Sequence, residues 1–265
     1  MTDPEEAGGV AESAAASGAS EASDGPGAEA APDPRPIRRY QAAVSAGAMA
    51  LGWANLEQAP NGATVVVDHE VSPMGRLGQI WTVPALSTLA FAVVLRPALS
   101  ADEADVPWLV GSLAVAEGIE AVSGRPMQTA WPDLVVDAGD GATKASVRAD
   151  VQLGPGKVRT AVVTARLDLS EGADPAQREA LLAAVTTQLD QRMAELADGV
   201  AGPLALYEKR CSTLGHNLKL RLIPRGEMRA HAAGVDSLGR LELRSATGMV
   251  ERVSVNQVRA VEALA

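Results

Sequence analysis

Two short stretches of this chain carry the residue types that chemistry at a charged ligand requires. The first, Ser72-Pro73-Met74-Gly75-Arg76-Leu77-Gly78-Gln79-Ile80-Trp81, flanks one arginine with Gly75 and Gly78 and closes on a tryptophan. Glycine lets a backbone approach a ligand closely, and backbone N–H groups beside a guanidinium suit the wrapping of a nucleotide or an anionic intermediate. The second, Thr129-Ala130-Trp131-Pro132-Asp133-Leu134, is a Trp-Pro turn carrying a carboxylate at Asp133, and Lys144 adds a cation beyond the next turn. A cation in such a loop can screen a phosphate, and a carboxylate in such a turn can position a nucleophile or a magnesium ion. Each residue has a plainer reading as well. Arg76 and Lys144 also read as solvated cations, Trp131 as a core anchor, and Asp133 as a turn or cap residue.

The elements around these stretches follow from periodicity and punctuation. A helix is predicted from about Gln41 to Glu57, ended by the turn signal Pro60-Asn61-Gly62. Ala63–Val67 reads as a short buried strand running directly into the arginine loop, and Leu89–Leu95 as a second strand. Ser100 and Glu103 form a capping box for the next helix, whose apolar side is Val106, Leu109, Val110, Leu113 and Ile119. Strands follow at about 134–137, 145–153 and 158–169. Asp174-Pro175 then caps a helix that ends near Gly199, and Gly202-Pro203 is read as a separator. Short strands at 217–222, 227–235, 240–244 and 249–255 suggest a small antiparallel barrel. The pattern is α+β, with an acidic, disordered tail at 1–35, a larger domain at 36–203 and a smaller one at 204–265.

Charge and composition narrow the function classes. The formal charge is −10, yet residues 1–34 hold eight acids and no base, which leaves 25 acids against 23 bases in the remainder. No block of positive charge is present, so nucleic acid is not an expected partner. The tail has too little apolar surface to offset the entropy of ordering it. It resembles neither a secretory signal nor an organellar leader. No uninterrupted strongly apolar run of about 18 residues occurs, so no membrane span is expected. Cys211 is the single cysteine, which excludes an internal disulfide, and His69, His216 and His231 lack ligand spacing. A cytoplasmic protein is expected, and nothing in the sequence sets its oligomeric state.

The order of these pieces resembles that of the biotin–protein ligases, within the biotin/lipoate ligase superfamily, over roughly residues 40–262. Gly75-Arg76-x-Gly78-x-x-Trp81 resembles the second half of the family's Gly-Arg-Gly-Arg-x-Gly-x-x-Trp loop. Leu89–Pro97 resembles the strand ending in Leu-Arg-Pro, and Trp131-Pro132 stands in the Lys-Trp-Pro-Asn-Asp motif. Lys144 falls where the family keeps a lysine. Cys211-Ser212-Thr213-Leu214-Gly215 and Ala233–Leu241 resemble the family's C-terminal SH3-like β-barrel.

The resemblance implies a ligase that forms biotinyl-adenylate from biotin and ATP with magnesium. The acyl group then passes to a lysine on the biotin carboxyl-carrier domain of an acyl-CoA carboxylase. It places Arg76 and Lys144 on the adenylate phosphate with Asp133 nearby. It also places Ser45, Glu70, Gly75, Gly78 and Trp131 at the bound ligands. The chain departs from the pattern at Pro73-Met74, where the family has Gly-Arg, and at Ala130, where it has lysine. Ser45-Ala46-Gly47 only echoes the family's Ser-Thr-Asn, Glu70 stands near a glutamine that pairs with the biotin ring, and Leu134 replaces a polar residue. Arg148, Arg159 and Arg166 are new cations on neighbouring strands. Two other readings stay open: a non-catalytic homologue that binds a ligand or partner, and an adenylating enzyme for another small acid. Residues 1–35 cannot form a winged-helix domain, so direct transcriptional repression is not expected.

Overall fold

Alternation of side chains along paired strands decides which residues of this chain face a ligand and which face the core. The computed structural model describes residues 35–81, 87–169 and 173–264, so the tail expected over 1–34 lies outside the described residues. Seven strands build the larger sheet: β1 (Ile37–Ala43), β2 (Thr64–Glu70), β3 (Thr88–Leu95), β4 (Met127–Ala130), β5 (Leu134–Asp137), β6 (Thr143–Gly154) and β7 (Lys157–Asp168). Their order is β1-β2-β3-β7-β6-β5-β4, antiparallel throughout except for the parallel β1–β2 pair.

Both faces are covered where β2, β3 and β7 meet. Helix α1 (Ala46–Leu56) packs on one face, against Val65, Val67, Ala92, Val94 and Val162. Helices α2 (Val106–Ser123) and α3 (Pro175–Glu195) cover the other, against Val66, Phe91, Val93, Val163 and Ala165. Consecutive residues thus go to opposite cores, which is why these strands read as unbroken apolar runs. Helix α2 is long and apolar enough to cross a membrane, but 72% of it is buried inside the protein. It is the core helix. A side chain at Gly118 would meet Val185 Cγ2 at 2.5 Å, which lets α2 and α3 approach closely.

Three expectations are corrected. The helix predicted from Gln41 begins only at Ala46, because Ile37–Ala43 is taken up as the edge strand paired with Thr64–Glu70. Gly202-Pro203 does not separate two parts: helix α4 (Ala201–Arg210) runs through it, with Pro203 in the first turn, where a missing N–H is tolerated. The boundary expected at 203/204 therefore falls inside α4. Strand β4 went unrecognised because its four residues are too short to show a period.

The C-terminal sheet is the SH3-like part: β8 (Asn217–Leu222), β9 (Gly226–Val235), β10 (Leu241–Arg244), β11 (Val250–Val253) and β12 (Val258–Leu264), in antiparallel order β11-β10-β9-β8-β12. Leu218, Leu220, Leu241, Leu243 and Val255 join the same apolar core as Phe91 and Leu113. Asp105, just before α2, fixes this seam by accepting from Ser254 Oγ at 2.8 Å and Val255 N at 3.3 Å. Burial pushes the Asp105 carboxyl above its ordinary range, against those hydrogen bonds and Arg240. The folded state therefore binds this proton more tightly than the unfolded chain. The contribution is present below the unfolded value and is lost as pH rises through the folded one. Urea denaturation across pH 4 to 7 should show the stability of Asp105→Asn falling less with pH than that of the parent. Parallel curves would refute this.

Candidate functional site

The loop after β2 is shaped by its glycines. A side chain at Gly75 would sit 1.8 Å from Trp81 Nε1, so the indole lies directly on the glycine backbone. Gly75 N donates to Gln79 O at 2.6 Å and Trp81 N to Pro73 O at 2.9 Å, while Leu77 (φ 53°) and Gly78 (φ 73°) make the left-handed turn between. Gly75→Ala should displace Trp81, read as a changed tryptophan emission and a lowered Tm. An unchanged spectrum would refute the contact.

That turn sends Arg76 inward. Its Nε donates to Asp133 Oδ2 at 3.1 Å, and both side chains are withdrawn from water, at 4% and 9% exposure. Burial pushes the Asp133 carboxyl up, and the Arg76 guanidinium opposes this. Arg76 Nη1 and Trp131 Nε1 are buried donors without a hydrogen-bond partner. Both residues line a cavity of about 540 Å³ with Trp81, Asp133, Ser212 and Arg259, between the main sheet and strand β12. Two residues that each hold an unpartnered buried donor thus meet on one cavity, which favours a ligand that brings acceptors.

A smaller cavity of about 160 Å³ opens on the α1 face of the sheet, lined by Ser45, Gly47, Met74, Arg148, Thr164 and Arg166 among others. Strand alternation puts Arg148 on β6 beside Thr164 and Arg166 on β7. Thr164 Oγ1 is buried without a partner, and a side chain at Gly47 would come within 2.5 Å of it. The loop separates the two cavities, giving Met74 to the smaller and Arg76, Gln79 and Trp81 to the larger.

The sequence-predicted residues divide accordingly. Arg76, Asp133 and Trp131 come together, and Gly75 and Gly78 shape the loop. Ser45 lines the small cavity while its Oγ caps α1, accepting from Ala48 N at 3.2 Å. Glu70 does not stand free for a ring. It forms a buried ion pair with Arg166 and accepts from Ala46 N at 2.8 Å. Lys144 is not brought to Arg76. The register shifts at this point of the β5–β6 pair, with Val135 opposite Ala145 and Val136 opposite Thr143. The extra residue, Lys144, lines a different cavity of about 360 Å³ with Arg125, Leu167 and Asp168. A bulge re-aims a side chain in this way. Arg159 lies elsewhere, in a groove with Arg96 and Lys157. Thr164 went unrecognised in the sequence, and the roles of Arg148 and Arg166 needed the register between β6 and β7.

Among the described residues no group of three or more His, Cys, Asp or Glu side chains is placed to hold a metal ion. Asp133, the carboxylate expected near magnesium, is paired with Arg76.

Removing Arg76 would leave Asp133 buried without a counter-charge. Arg76→Ala should destabilise by about 3–5 kcal/mol, and Arg76→Met with Asp133→Leu by much less. Equal losses in denaturant titrations would show that the pair is not coupled.

No protein-family model matches the chain. It is 24% identical over 214 residues to the bifunctional ligase/repressor BirA of Bacillus spizizenii, a match covering 72% of this chain and 64% of that protein. The chain thus spans less than two thirds of the length of the curated relative it matches. Among solved structures, it is similar to the biotin protein ligase of Aquifex aeolicus in complex with biotin and ATP, with a TM-score of 0.69 and 16% identity, covering 86% of this chain and 99% of the other. A biotin protein ligase-like protein of unknown function from Silicibacter matches with a TM-score of 0.61 and 16% identity, covering 82% and 94%. At these identities the structural likeness establishes the fold.

Proposed function

We propose that the chain is a divergent member of the biotin protein ligase family, and that it activates biotin with ATP and passes the acyl group to a lysine of a carrier protein. The observation that carries this reading is the pair of cavities on either side of the 72–81 loop, each lined by a residue with a buried, unpartnered polar atom. The smaller takes the acid and the larger the nucleotide. The reacting carboxylate and α-phosphate then meet at the loop.

In the first step a carboxylate oxygen attacks the α-phosphorus, and the bond to the bridging oxygen breaks to release pyrophosphate. Arg76 Nη1 donates to a non-bridging oxygen, while its Nε stays on Asp133 and fixes the guanidinium plane. A donor set beforehand needs no reorganisation when negative charge develops. Trp131, whose Nε1 is buried without a partner, lines the same cavity. In the second step a neutral lysine amine attacks the acyl carbonyl and AMP leaves. Magnesium accompanying ATP would take its oxygen ligands from the phosphates and water, and would screen the charge of the leaving pyrophosphate. Lys144 takes no part in this scheme, because its cavity is not the one that Arg76 lines.

The carrier is a biotin carboxyl-carrier domain, assigned here to an acyl-CoA carboxylase, and the site of action is the cytoplasm. Pyrophosphate release should require both biotin and ATP. Arg76→Lys, which keeps a counter-charge for Asp133 but not the fork of donors, should lower the rate by about a hundredfold to a thousandfold. Absence of biotin-dependent pyrophosphate release from folded protein would overturn the proposal.

A further inference from the structure

The loop that separates the two cavities is held from beneath by cations of the sheet. Arg148 Nη1 donates to Met74 O at 3.3 Å and to Gly75 O at 3.1 Å. Arg166 Nη1 donates to Met74 O at 3.3 Å. The remaining nitrogens of both guanidiniums are also engaged. Arg148 Nε donates to Asp150 at 3.1 Å, and Arg166 pairs with Glu70, which also accepts from the first turn of α1. Helix α1, strands β6 and β7 and the loop are therefore joined by one chain of polar contacts, with Met74 and Gly75 at its end.

These two carbonyls are immediately followed by Arg76. Their position sets where the Arg76 guanidinium stands and where Met74 walls the smaller cavity. We propose that Arg148 is a positioning residue: with Arg166 it latches the loop in its ligand-ready shape before any substrate arrives. This inference rests on the ligase reading for its kinetic consequence but not for its structural one. Arg148 is the part of the latch that can be removed safely. Its partner Asp150 is one-quarter exposed and remains solvated, whereas Glu70, at 5% exposure, would be stranded by loss of Arg166.

If the latch sets the fraction of molecules that are ready, apparent affinity scales with that fraction while the bound complex reacts as before. In full-length protein, Arg148→Ala should raise KM for biotin in pyrophosphate release by about tenfold, with kcat within about threefold; Arg148 also lines the cavity assigned to the acid, so the trypsin comparison separates the latch from a lost contact. Limited trypsin digestion read by mass spectrometry should show the Arg76–Leu77 bond cut about tenfold faster, because cleavage there requires local opening of the loop. Arg148→Lys, which keeps one charged donor for the carbonyls, should recover part of both effects. A structural defect would lower Tm without restoring KM in the lysine variant. An unchanged cleavage rate at Arg76, or a fall in kcat at constant KM, would overturn the latch. If the parent protein releases no pyrophosphate with biotin, the ligase reading fails and the trypsin comparison still decides the latch. Should Arg148→Ala not fold, Arg148→Gln is compared in the same way, with the same outcomes.

Discussion

Two guanidiniums withdrawn from bulk water around one loop, and a third that is one-quarter exposed, constrain everything else at this site. A charge in that position is tolerable only when opposite charge and hydrogen-bond acceptors are supplied by the fold. Arg76 has Asp133, Arg166 has Glu70, and Arg148 has Asp150, each carboxylate coming from a strand or turn of the same sheet. The loop carbonyls of Met74 and Gly75 take the donors that remain on the sheet arginines. The loop is therefore placed by electrostatics, and the cavities on either side of it inherit their walls from that placement.

Coverage of both sheet faces explains how so much charge can sit beside an Ala-, Val- and Leu-built core. On β7, Val163, Ala165 and Leu167 go to the α2 face, leaving Thr164 and Arg166 on the face shared with α1. On β6, Ala145, Val147 and Ala149 pack toward α2, while Arg148 and Asp150 line the small cavity. One helix whose buried face is alanine and glycine, with Gly47 against Thr164, keeps the backbone close enough for the polar groups to meet. The C-terminal sheet closes the larger cavity through β12, and its seam with the main body runs through Asp105 and through Trp131 N donating to Thr213 Oγ1 at 2.8 Å.

Much of this was legible in the chain. The strand at Leu89–Leu95 and the helix capped by Asp174 stand where local patterning put them, while the capping box at Ser100 and Glu103 closes a short turn, Ala101–Glu103, ahead of α2 rather than α2 itself. Each depends on a neighbour within a few residues, which sequence periodicity reports faithfully. The edge strand β1 and the C-terminal strand β12 were not legible, because each is held by a partner distant in the chain, and β4 is too short to show a period. The apolar helix α2 illustrates the same limit. Its composition alone permits a membrane span, and only the surrounding strands and helices make it a core element.

The sequence by itself determined the residue types at the loop and at the Trp-Pro turn, the α+β order of elements, and the resemblance in two successive regions. Local chemistry fixes those features. Tertiary structure alone decided which charges meet. One extra residue between Thr143 and Ala145 turned Lys144 away from Arg76, and the register of β6 against β7 brought Arg148 and Arg166 beneath the loop instead. A strand's side chains change face with each residue, so a shift of one position reassigns a cation from one cavity to another. No pattern within a single segment contains that information.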